Sequence, residues 1–72
     1  MTYELSIQEK TEILNNHLKN IEHNKYNVEV SLLEENALDN PSQSVIQSLN
    51  EQIENFAAKK SALMAELANI SE

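Results

Sequence analysis

Apolar side chains recur at alternating intervals of four and three residues along most of this chain. That interval is typical of an α-helix packed lengthwise against another helix, as in a coiled coil. The sequence of 72 residues contains no glycine, and its single proline, Pro41, stands near the middle. Because glycine and proline are the residues that most often end a helix, the chain is predicted to form two long helices with one break.

Capping residues predict where the two helices begin. Ser6 followed by Glu9 matches a capping box, in which each side chain binds the backbone N–H of the other residue. Pro41 keeps Asn40 out of the α-helical region, so Asn40 is expected to cap a second helix whose first residue is Pro41. The chain is therefore predicted to be one helical hairpin over 1–72, with helix 1 from about 7 to 38, a turn at 39–41 and helix 2 from about 41 to 70.

The apolar repeat predicts one continuous seam between these helices. The connection is too short for parallel helices, so helix 2 is expected to fold back along helix 1. In the resulting antiparallel pairing, Leu18 faces Leu63 and Lys25 faces Phe56. The fold class is all-α, a coiled-coil-like hairpin. Its predicted seam comprises Leu14, Leu18, Ile21, Lys25, Val28, Leu32, Leu49, Ile53, Phe56, Lys60, Leu63 and Leu67.

Further apolar side chains lie outside the seam at helical spacing. Two helices alone cannot bury a seam fully, because water reaches both of its edges, and a chain this short has a thin core. We therefore expect two hairpins to dimerise into a four-helix bundle. The candidate oligomer interface comprises Tyr26, Val30, Leu33, Ala37, Ala57, Met64 and Ala68.

Two lysines interrupt the seam, Lys25 in helix 1 and Lys60 in helix 2. A lysine in an apolar setting can act as a base or an amine nucleophile. A two-helix seam is open at its edges, however, so each ammonium group can reach water, and Glu22 and Glu29 are placed to pair with Lys25. Polar residues of this kind fix the register of coiled coils, and that role is the one we favour.

The two histidines, His17 and His23, are six residues apart and lie on different faces of helix 1. Two histidines that bind one metal ion on a helix need a spacing of three or four, so we expect His17 to contact Glu66 instead. Neither residue is predicted to bind metal.

Three carboxylates, Glu34, Glu35 and Asp39, cluster at the end of helix 1. A divalent cation or a basic partner would explain negative charge at this pole of the helix dipole. The cluster lacks the alternating oxygen ligands and the glycine of a calcium loop, and Asp39 could instead help to cap helix 2. We predict no metal site, no cofactor and no catalytic residue, since a hairpin offers no enclosed pocket for a catalytic triad.

Charge limits the partners of the chain. Twelve acidic residues against five lysines give a net charge of −7, which disfavours nucleic acids and anionic membranes. The first residues lack the basic-then-apolar pattern of a signal peptide, and no stretch has the ~20 apolar residues of a membrane span. The expected location is the cytosol, and the expected partners are a second copy of the chain or another protein.

One short stretch invites comparison with a family of enzymes. Asn50–Glu54 is the nearest counterpart of the Ser-Gln-Glu-Leu-Asp motif of small helical-hairpin aspartyl-phosphate phosphatases, but the serine, glutamine and aspartate of that motif are all replaced. The chain is therefore not assigned to that family. The sequence favours a non-enzymatic structural or interaction module that works by helix packing. The alternative is a regulatory or accessory subunit of a larger enzyme, such as a phosphatase-like regulator.

Overall fold

The computed structural model describes residues 4–71, which form two α-helices packed against each other as a hairpin. Helix α1 spans Ile7–Asn36 and helix α2 spans Gln43–Ile70. The predicted all-helical hairpin is confirmed. The backbone of the described residues has no positive φ angle, so the connection between the helices is built without any left-handed residue.

The start of α1 is fixed by a capping box, as predicted. The Ser6 hydroxyl oxygen accepts a hydrogen bond from the Glu9 N–H at 3.1 Å, and the Ser6 N–H donates to the Glu9 carboxylate at 3.0 Å. Two N–H groups that have no partner within the helix are thereby satisfied. The carboxylate also lies at the positive pole of the helix dipole.

Helix α1 ends at Asn36, two residues before the predicted end. Its last turn tightens, since the Leu38 N–H donates to the Glu35 carbonyl, three residues back, at 3.2 Å. Helices commonly end on a glycine in the left-handed conformation, but this chain has no glycine. The tighter, three-residue hydrogen bond is the alternative way to satisfy the last carbonyls.

The predicted start of α2 was wrong. Neither Asn40 nor Pro41 caps or begins the helix, because Ser42 takes the capping position and accepts a hydrogen bond from the Val45 N–H at 3.4 Å. The Ser42 N–H in turn donates to the Glu35 carboxylate, on the last turn of α1, at 3.0 Å. In a capping box this carboxylate would belong to the third residue of the helix, which here is Val45. Glu35 supplies it from the other helix.

The hairpin is long and thin. It measures 60 × 22 × 15 Å, with a radius of gyration of 16.9 Å. A compact domain of this length would have a radius of gyration of about 11 Å. Two helices touch along one line only, so no described side chain is buried. The fold therefore places every candidate functional residue at a surface.

Candidate interaction surfaces

The seam side chains are half-buried. Each of the twelve residues of the predicted seam has intermediate exposure, including Lys25 and Lys60. Ile7 continues the same repeat at the start of α1 but is 62% exposed. Helix α2 ends at Ile70, which faces Thr11 in the predicted pairing, so α2 stops short of Ile7.

An ion pair between the helices lies at one edge of the seam. The Lys60 Nζ is 2.9 Å from the Glu22 Oε1, and both side chains remain in contact with water. The hydrogen bond from Lys60 lowers the pKa of Glu22 below its ordinary value, helped by the Coulomb attraction of Lys60 and, more weakly, of Lys25. Partial burial opposes this shift. Glu22 thus pairs across the helices with Lys60, where the sequence indicated pairing with Lys25 within α1.

The Lys60 ammonium leaves the seam toward water and is held by a carboxylate. A lysine that acts as a base or nucleophile is usually desolvated or placed beside another cation. The Lys60 side chain is 40% exposed and its ammonium group is paired with a carboxylate, so Lys60 is not desolvated in this way. Since Lys60 and Glu22 belong to different helices, their pairing favours one sliding position of α2 along α1.

The opposite edge of the seam contains an open groove of about 410 Å³. Its floor is apolar, and the Lys59 Nζ lies 5.9 Å from the centre of the Phe56 ring, at the outer limit of a cation–π contact. The apolar repeat does not predict this groove. It arises where the short side chains of Asn20, Asn24 and Ala62 flank larger ones. The groove is lined by His17, Asn20, Ile21, Asn24, Phe56, Lys59, Ala62 and Leu63.

The two histidines are separated in the structure. His17 lines the groove, whereas His23 is exposed and lies outside the groove lining. The expected contact between His17 and Glu66 is replaced by a hydrogen bond within α2, in which the Asn69 side-chain amide donates to Glu66 at 3.4 Å. His17 is therefore part of a surface groove and not of an ion pair with Glu66.

The three carboxylates at the end of α1 have different surroundings. Glu35 is half-buried and holds the first N–H of α2 through Ser42. Glu34 and Asp39 are exposed. Over residues 4–71, no group of three or more histidine, aspartate or glutamate side chains is arranged to hold a metal ion. The cluster thus contributes one carboxylate to the turn rather than three to a common site.

Most of the candidate interface residues are exposed to solvent. Tyr26 is 67% exposed, Leu33 68% and Met64 53%, while Val30 is only half exposed. The structure also exposes large apolar residues that the sequence analysis did not place at an interface. These are Leu5, Ile13, Leu38 and Val45. The helical spacing predicts that Leu38 and Val45 flank the seam as a pair at the turn end of the hairpin.

Comparison with known proteins gives no relative: no family model, no curated protein and no solved structure matches this chain. Neither α1 nor α2 combines the length and the apolar character that crossing a membrane requires.

Proposed function

We propose that this protein is a non-enzymatic helix-packing module that works in the cytosol as a homodimer, two hairpins forming a four-helix bundle. One observation carries the proposal: no residue in the described range 4–71 is buried, although ten of the twelve seam residues are apolar. A stable helical protein normally buries one side of each helix. A second hairpin would cover the seam edges that water now reaches.

The exposed area supports an association of ordinary size. The hairpin has an accessible surface of 5725 Å². A compact monomer of the same 8.2 kDa mass would expose roughly 4,500 Å². The surplus, roughly 1,200 Å², exceeds the ~800 Å² that each partner contributes to a standard protein–protein interface. Covering one face by a second copy would therefore bring the chain close to the exposure of a compact protein.

The exposed apolar side chains indicate where burial by a partner would contribute most to the free energy of association. Tyr26, Leu33 and Met64 are all more than half exposed. Each would contribute ~1.5 kcal/mol or more if a partner buried it fully. The acidic net charge opposes association at low ionic strength, so added salt is expected to strengthen the dimer.

The groove beside His17 and Phe56 favours the second candidate function, an accessory subunit of a larger enzyme. An open groove with an apolar floor suits a helix of a different protein. A homodimer that covers the opposite edge of the seam would leave this groove free. The two functions differ in what is captured from a lysate of the source cell: only the chain itself, or an enzyme in stoichiometric amount.

The proposal is tested by placing charge on the candidate interface. Leu33→Glu combined with Met64→Glu is expected to lower the melting temperature and to remove its dependence on protein concentration, because buried carboxylates oppose association. Asn27→Glu combined with Asn55→Glu adds the same charge elsewhere and is the matched control. A wild-type melting temperature that does not change over a hundredfold range of concentration would reject the homodimer.

A further inference from the structure

The two edges of the seam present different surfaces. One edge holds the groove beside His17 and Phe56. The helical repeat places Ala57 and Met64 on the other edge, where Lys60 meets Glu22. We call this surface the Ala57 side. It consists of Glu12, Lys19, Glu22, Tyr26, Glu29 and Leu33 of α1 with Glu54, Ala57, Ser61, Met64 and Ala68 of α2.

We propose that the Ala57 side binds a second copy of the chain in a specific arrangement, with Ala57 facing Ala57 of the second copy across a two-fold axis perpendicular to the helices. This inference rests on the homodimer proposed above and assigns its face and its register. Covering one face would remove the surplus area and bring the chain close to the exposure of a compact monomer. Charge and side-chain size then select this face and this register.

The charges on this side are complementary to themselves in the proposed register. With Ala57 on the axis, Lys60 lies opposite Glu54 of the second copy. The seam pairing of the hairpin then fixes α1 as well, and it places Lys19 opposite Glu29 of the second copy. Two-fold symmetry repeats each pair, so four opposite-charge pairs form and no two like charges face each other.

Neighbouring registers lose this match. If the second copy slides by one heptad in one direction, Lys60 and Glu54 lose their partners of opposite charge. Lys19 then faces Glu22 of the second copy, but Glu12 faces Glu29, and symmetry repeats both the attraction and the repulsion. If it slides by one heptad in the other direction, Glu54 faces Ile53 of the second copy and its carboxylate loses contact with water. Like charges and unpaired buried charges both act against a wrong register.

Side-chain size fits the same register. Ala57, Ser61 and Ala68 are small and exposed, so two α2 helices can approach closely along them. Ser61 then faces Ile53 of the second copy, and Ala68 faces Ile46. Both isoleucines are only half-buried in the single hairpin, and they would fill the space above the small residues. A large residue of one copy thus meets a small residue of the other.

A single cysteine tests the inference, because the natural chain has none. In Ala57→Cys the two sulfur atoms would face each other across the axis, within reach of a disulfide. Ala58→Cys and Ala62→Cys are matched controls that place the same substitution on other faces of α2. Under mild oxidation, Ala57→Cys is expected to form a covalent dimer at least roughly tenfold faster than either control, because its thiols share a high effective concentration.

The readout is a non-reducing gel, combined with sedimentation of each variant under reducing conditions. The inference is supported if Ala57→Cys sediments as a dimer under reducing conditions and cross-links faster than both controls under oxidation. Dimers in which Ala62→Cys cross-links fastest, or in which all three variants cross-link equally, would overturn the assigned face while the homodimer itself stands. A wild-type chain that sediments as a monomer at all concentrations would instead overturn the proposed function, and the assigned face with it.

Discussion

Replacing Glu35 by alanine should destabilise the hairpin, although it removes an acidic residue from the negative pole of α1. The Glu35 carboxylate accepts the Ser42 N–H at 3.0 Å in a partly buried position. A hydrogen bond to a charged group contributes ~1.5–3 kcal/mol, and the lower end applies where water competes. Removing the unfavourable charge–dipole contact returns a few tenths of a kcal/mol. We expect a net loss of about 1 kcal/mol, which for a domain of this size lowers the melting temperature by about 4–8 °C.

Glu34→Ala is the matched control for this prediction. Glu34 is the preceding residue and is exposed, and its removal relieves the same dipole without touching the Ser42 N–H. Thermal unfolding of both variants, followed by circular dichroism at one protein concentration, should place Glu35→Ala below the wild type and Glu34→Ala level with it or above it. Equal melting temperatures for the two variants would show that the carboxylate of Glu35 does not hold the turn.

Two further predictions concern the seam. Leu18→Cys with Leu63→Cys should form an intramolecular disulfide under mild oxidation, whereas Leu18→Cys with Ile53→Cys should not; equal disulfide formation would contradict the predicted pairing of the helices. The pKa of Glu22, measured by NMR titration, should lie below the ordinary glutamate value. It should rise toward that value in Lys60→Gln, because Lys60 is the main cause of the lowering. The stability that this ion pair contributes is present at neutral pH and is lost as the pH falls through the lowered pKa of Glu22. If the pKa of Glu22 is the same in Lys60→Gln as in the wild type, the pair does not form in solution.

Much of the fold followed from local sequence. The capping box of Ser6 and Glu9 is a contact between residues three apart, so the sequence alone predicted it. The cap of α2 was predicted at Asn40 and is found at Ser42, whose contact with the end of α1 is not local. Glu35 and Ser42 are seven residues apart on different helices, and only the folded turn brings the carboxylate to the N–H of Ser42.

The ion pair and the groove show the same limit. The apolar repeat indicated that Lys60 lies in the seam, but not toward which edge its ammonium group would turn or that Glu22 would receive it. The groove exists because Asn20, Asn24 and their neighbours leave space that larger side chains would have filled. Both features depend on side-chain directions across two helices, which a repeat in one helix does not specify.

We propose that the hairpin associates with itself because it cannot bury its seam alone. The most direct test is the mass of the wild-type chain in solution, measured by sedimentation equilibrium or light scattering over a wide range of concentration, with helicity recorded on the same samples. We predict a mass twice the 8.2 kDa of the chain at high concentration, and a fall in helicity as dilution dissociates the dimer. A mass of 8.2 kDa at every concentration, with undiminished helicity, would contradict the account.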